Sequence, residues 1–110
     1  MLSESDKATL EFILKMVNTI DIIVNNHGGI DRALEDLEGQ NALLMCILQI
    51  GENLNKIKDE NLRMNLPVKE SYGLRNIITH HYDSVDIPTI SEIIEFDIPD
   101  LKEKLIRFIN

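Results

Sequence analysis

A chain of 110 residues is the size of one domain with a single core, and we expect that domain to span residues 1–110. Hydrophobic residues make up 44% of the chain and aromatics only 5%, which favours aliphatic helix packing over an aromatic-rich β-sandwich. A net charge of −8 counts against a general nucleic-acid binder, which needs clustered Lys and Arg to neutralise phosphates; any RNA contact has to be local, and an acidic surface suits a basic protein partner.

Ser3 or Ser5 can cap a first helix, in which Leu10, Ile13, Leu14, Val17, Ile20 and Val24 recur at helical spacing as far as Asn25. A second stripe of Phe12, Met16 and Ile23 widens the apolar face and implies burial on two sides. Asn25-Asn26-His27-Gly28-Gly29 reads as the stop, with His27 a surface loop residue. Asp31 is expected to cap a short helix through Ala33, Leu34 and Leu37, and Gly39 to break or kink it.

From Asn41 a long helix carries Leu43, Ile47, Ile50, Leu54 and Ile57 at alternating spacings of four and three, a packing seam with Met45 and Cys46 beside it. Cys46, within the apolar run Ala42 to Ile50, is expected to be a small buried hydrophobe in a reducing compartment. Glu52 and Asn53 lie at the densest part of the seam. A buried Glu52 would need a partner, for which Arg75 is the natural candidate, although an exposed Glu52 fits the pattern nearly as well. Leu62, Met64 and Leu66 lead to Pro67, which suits the first turn of a new helix running from about Val68 to His80. Gly73 inside that helix predicts close approach of another helix or of a second copy. After a loop at Asp83 to Asp86, Pro88 opens a helix through Ile90, Ile93 and Ile94. Asp97 with Pro99 starts the last one, whose inner face is Leu101, Leu105 and Phe108.

No alternating β-branched run and no internal repeat is present, so the expected fold is all-α, an antiparallel bundle of four main helices plus short ones. No window approaches the roughly 18 uncharged apolar residues of a membrane span. Met1 to Asp6 lacks the basic start of a signal peptide. The expected location is therefore cytoplasmic, without membrane contact.

Functional chemistry concentrates in Gly73-Leu74-Arg75-Asn76-Ile77-Ile78-Thr79-His80-His81-Tyr82-Asp83. At about 100° per residue, Tyr82 falls on the line of Arg75, whereas His80 lies about 140° round the helix from it. Arg75 and His80 can then meet at one ligand only if the helix loosens near His80, or if a second copy brings its own Arg and His to a shared cleft. Each residue also has a plain reading, as a solvated arginine or a histidine favoured by the helix C-terminus. A metal centre fits poorly, because His80 and His81 are adjacent rather than i, i+4 and the chain has a single Cys. No glycine-rich phosphate loop occurs either, and no cofactor is expected.

Leu74-Arg75-Asn76 followed by Thr79-His80-His81-Tyr82 resembles the R-x4-H-x-Y motif of the HEPN superfamily, in particular its HepT-like toxins. Ile50-Gly51-Glu52-Asn53-Leu54 is similar to the family's Glu-bearing helix, Leu66-Pro67 to its proline before the motif helix, and Ile98-Pro99-Asp100-Leu101 to its last helix start. Val68 departs from the Trp of many relatives. The resemblance implies a HEPN-type homodimer with facing motifs and a metal-independent RNA endonuclease, with Arg75 as phosphate clamp, His80 as general acid/base and Asn76 orienting them. Glu52 and His81 would support that set. It also implies a toxin–antitoxin pair in which an MntA-like nucleotidyltransferase adenylylates Tyr82. The alternative is a non-catalytic binding or regulatory subunit of a nucleotidyltransferase complex, or, more plainly, a helical dimer in which Arg75 only pairs with Glu52.

Overall fold

In the computed structural model, described over residues 2–80 and 84–110 without the side chains of Ile77 and His80, the chain starts its first helix at Ser3. The Ser3 hydroxyl accepts from the Asp6 amide at 3.0 Å and caps α1, Glu4–His27. The helix ends at Gly28, whose φ of 84° is the left-handed conformation glycine adopts without a Cβ clash. Asn25 and Asn26, expected in the stop, are its last full turn. Leu10, Ile13, Val17 and Ile20 are fully buried, but Phe12 of the second stripe stays partly exposed, so α1 is covered mainly on one side.

Gly29, not Asp31, occupies the N-cap of the short α2, Ile30–Glu35, and no side chain caps it. The cap carboxylate is Asp36 instead: it accepts from the Gly39 amide at 2.8 Å and starts α3, Leu37–Lys56, four residues earlier than the apolar spacing indicates. Gly39 therefore lies inside the first turn of α3 rather than breaking a helix. A Cβ there would come within 2.4 Å of the Ala33 carbonyl oxygen, so glycine is what lets α3 start against α2. His27 is not a loop residue either, since its Nδ1 meets the Ile23 carbonyl at 2.8 Å and its Nε2 the Asp36 carboxylate at 3.2 Å.

The seam of α3 is buried as expected from Leu43 through Ile57, with Cys46 inside it and Met45 left exposed. The turn after α3 is held from a distance. The buried carboxylate of Asp6 accepts from the amides of Lys58 and Asp59, both at 3.0 Å. Asp59 then caps α4, Glu60–Asn65, a short helix in the stretch leading to Pro67. Leu62 and Leu66 fill the core below it, while Met64 faces solvent.

Pro67 delivers the chain into α5, Val68–His80, with the bounds its sequence indicates. Asp86 caps α6, Ile87–Glu92, with contacts to the Thr89 amide and hydroxyl. The helical path then continues without a break through a π-helical turn, Ile93–Asp97, into α7, Ile98–Ile109. Two separate helices were expected here. Pro99 has no N–H to return to Glu95, and the Ile98 amide reaches back five residues to the Ile93 carbonyl, so the wider turn absorbs the proline without ending the helix. Asp97 does not act as a cap.

The fold is thus all-α, with α1, α3, α5 and α7 as the main helices and short ones between them. The core joins Leu10, Ile13 and Val17 to Leu43, Leu54, Ile78, Leu101 and Leu105. Among the described residues no helix is long and apolar enough to cross a membrane.

Candidate active site

The candidate residues are carried by α3 and α5, and a glycine sets how closely those two helices meet. A Cβ on Gly51 would lie 3.2 Å from the Ser71 carbonyl oxygen and 3.4 Å from Cβ of Arg75. Of the close approaches expected at Gly73, that of another helix of the same chain is found at Gly51 instead. Among the described residues, nothing beyond Gly73's chain neighbours and the backbone of α5 comes within 4 Å of where its Cβ would stand.

That approach brings Glu52 under Arg75. Nε of Arg75 lies 3.8 Å from Oε1 of Glu52, and both side chains are half-exposed. A pair so open to water contributes at most about 1 kcal/mol to stability. Its consequence is directional, because it holds the guanidinium at the edge of the α3–α5 contact instead of letting it extend into solvent. Arg75 is contacted a second time within its own helix: its Cζ sits 5.6 Å from the ring centroid of Tyr72, within the range of a cation–π contact.

The adjoining face of α5 is polar and open. Lys69, Tyr72, Asn76 and Thr79 are exposed and fall within an arc of about 80° on a regular helix. Asn76 is presented to solvent beside Arg75. Arg63, a cation near the motif in sequence, is committed elsewhere: its Nη1 donates to the carbonyls of Asn55 and Ile57, at 3.2 and 2.7 Å, and closes the end of α3.

α5 stays α-helical through His80 and does not loosen before it. The offset of about 140° between positions 75 and 80 is therefore retained within one chain. The expectations for the imidazole of His80, and for His81 and Tyr82 altogether, fall outside the described residues.

Behind α5 an apolar groove of about 240 Å³ runs between α3, α5 and the π turn, floored by Ile50, Leu54, Leu74 and Leu101. Cys46 is buried, and that burial raises its thiol pKa above the ordinary value, opposite to what an activated nucleophile requires. Among the described residues no group of three His, Cys, Asp or Glu is placed to hold a metal ion.

Two of these features were not read from the sequence. Gly51 occupies a position three before Leu54 and four after Ile47, on the seam itself, and a glycine there is a signal of close helix contact. Tyr72 stands three before Arg75, the spacing of neighbours on a helix surface.

A sequence model of the family described as "Ribonuclease HepT-like" matches residues 13–108. Three proteins of Methanocaldococcus jannaschii are similar to the chain. "Putative RNase MJ0125" is 28% identical over 103 residues, covering 90% of this chain and 89% of that protein. "Putative RNase MJ1216" is 34% identical over 71 residues, covering 63% of this chain and 59% of its own length. "Putative RNase MJ1380" is 39% identical over 41 residues, covering 37% and 38%. No solved structure matches.

Proposed function

The chain belongs to the HepT-like ribonuclease family, and from that premise we propose that it is a metal-independent RNA endonuclease whose active site is shared by two copies of the chain. The observation that carries the proposal is the course of α5. Arg75 is held at the edge of the α3–α5 contact by Glu52, while the unbroken helix keeps position 80 about 140° away. A second α5 facing the first supplies Arg75 from one copy and His80 from the other to a common phosphate. The exposed Tyr72, the exposed Met45 and the uncovered backbone at Gly73 belong to the faces that would meet or border the cleft.

In this reading the ribose 2′-oxygen attacks the adjacent phosphorus as its proton passes to a base. The bond from phosphorus to the 5′-oxygen breaks, and an acid protonates that leaving oxygen. The products are a 2′,3′-cyclic phosphate and a 5′-hydroxyl. Histidine can serve in either proton role near neutral pH, and each positioned transfer contributes about 10² to 10⁴ in rate. His80 takes these roles, one from each copy, and His81 supports it. Arg75 binds the phosphoryl oxygens through its planar fork, and Asn76 orients the phosphate beside it.

We further infer a toxin restrained by a nucleotidyltransferase antitoxin that adenylylates Tyr82. Tyr82 is two residues beyond His80, so a bulky anion attached there obstructs the cleft and repels RNA phosphate.

Cleavage of labelled RNA by the unmodified chain in EDTA tests the proposal. Activity that persists in EDTA, yields cyclic phosphate ends and disappears in Arg75→Ala and His80→Ala is the expected result. A folded chain that leaves RNA intact but binds a nucleotidyltransferase tightly would instead support a non-catalytic regulatory subunit.

A further inference from the structure

We propose that Tyr72 is a stacking platform for an unpaired nucleobase next to the phosphate gripped by Arg75; this rests on the ribonuclease reading above. The ring is 51% exposed, in a chain with only 5% aromatic residues and no Trp. It is not part of the buried core and stands on the polar face of α5 with Lys69, Asn76 and Thr79.

The surroundings of the ring differ on its two sides. Arg75 lies about 60° round the helix in one direction and Gly73 about 100° in the other. The Arg75 guanidinium rests 5.6 Å from the ring centroid. At Gly73 no described atom beyond its two chain neighbours and the backbone of α5 stands within 4 Å of a Cβ position, and glycine itself projects no side chain next to Tyr72. A flat base can lie against the ring from that side while the guanidinium reaches the phosphate next to it. Along the axis Tyr72 precedes Arg75 by about 4.5 Å, and the base so held therefore lies next to the phosphate on the side of the start of α5.

Charge gives this contact its importance. With a net charge of −8 the chain cannot gather RNA by its overall field. Arg63 is spent on backbone carbonyls, and the local cations of the face are Lys69 and Arg75. Stacking on an aromatic ring is indifferent to net charge and tolerant of sequence, since every base has a π face. It also requires an unpaired base, which directs the site to single-stranded RNA rather than duplex.

The test measures binding of fluorescein-labelled oligoadenylate to chains carrying His80→Ala, with the same ribose-phosphate backbone lacking bases as the comparison ligand. Tyr72→Ala is expected to weaken oligoadenylate binding about 5- to 100-fold, Tyr72→Phe to retain it, and neither to change binding of the base-free backbone. A Tyr82→Phe chain has Tyr72 as its sole tyrosine, and its fluorescence should be quenched by oligoadenylate and not by the base-free ligand. Equal loss on both ligands in Tyr72→Ala would overturn the proposal and leave the ring only a support for Arg75. Unchanged binding in Tyr72→Ala would overturn it too, while RNA cleavage by the unsubstituted chain would leave the ribonuclease reading standing. An unsubstituted chain that neither binds nor cleaves RNA overturns both.

Discussion

His27 has an acceptor at each ring nitrogen, the Ile23 carbonyl at Nδ1 and the Asp36 carboxylate at Nε2. Satisfying both requires two N–H donors, which is the imidazolium form. The Ile23 carbonyl foremost, and then Asp36, accordingly raise the His27 pKa above its ordinary value of 6.5. The Gly39 amide and His27 lower that of Asp36 below 3.8. A raised histidine pKa stabilises the fold fully below the unfolded value and is lost as pH rises through the folded value. The melting temperature of the chain relative to His27→Gln should therefore show its largest advantage below the ordinary histidine pKa of 6.5 and lose it as pH rises above that value. A gap that grows with pH would contradict the double donor. A second residue with an outsized role is Asp6, whose carboxylate accepts two backbone amides more than fifty positions away. Asp6→Ala leaves Lys58 and Asp59 without those acceptors, with an expected loss of about 1–3 kcal/mol in denaturant unfolding.

At the scale of elements, the contact between α3 and α5 decides where Arg75 stands. Gly51 is the point at which the helices come closest, and a methyl there presses on the Ser71 carbonyl and on Cβ of Arg75. Gly51→Ala should shift α5 by a few tenths of an ångström. The core beneath it, from Leu54 to Ile78, stays filled. Misplacement of catalytic groups by about 1 Å can cost 10²-fold in rate, so RNA cleavage is expected to fall much more than the melting temperature does. Gly73→Ala is the matched comparison: the site is open within one chain and alanine favours helix by about 1 kcal/mol. A monomer should gain stability from it. If α5 faces a second copy at Gly73, the gain is offset by weaker association, which sedimentation at several concentrations would reveal.

For the whole molecule, the shared cleft predicts that an inactive chain silences its partner. A dimer of one unsubstituted and one His80→Ala chain holds a single His80 and so lacks either the acid or the base. After subunit exchange with excess His80→Ala chain, cleavage per unsubstituted chain should fall by about 10²-fold or more. Cleavage that stays in proportion to the unsubstituted chain would count against a site built from both copies. The apolar groove between α3 and α5 is lined by Gly51, Ser71 and Leu74 and not by Tyr72 or Arg75.

The bounds of α5 and the buried seam of α3 were set by the sequence alone, because helix period, proline position and capping chemistry act over a few residues. The same local rules placed Arg75 and position 80 about 140° apart. Tertiary structure decided what neighbours each residue meets. Asp31 caps nothing because α2 already starts at Ile30, and Asp36 can start α3 against α2 because Gly39 admits the Ala33 carbonyl. The contact of Glu52 with Arg75 exists because Gly51 lets two helices close on each other. The grip of Asp6 on Lys58 and Asp59 spans 52 and 53 positions, and no periodicity encodes such a distance. A stripe of apolar residues states that a helix face will be covered. Which helix covers it, and which polar group is buried with it, follows only from packing the whole chain.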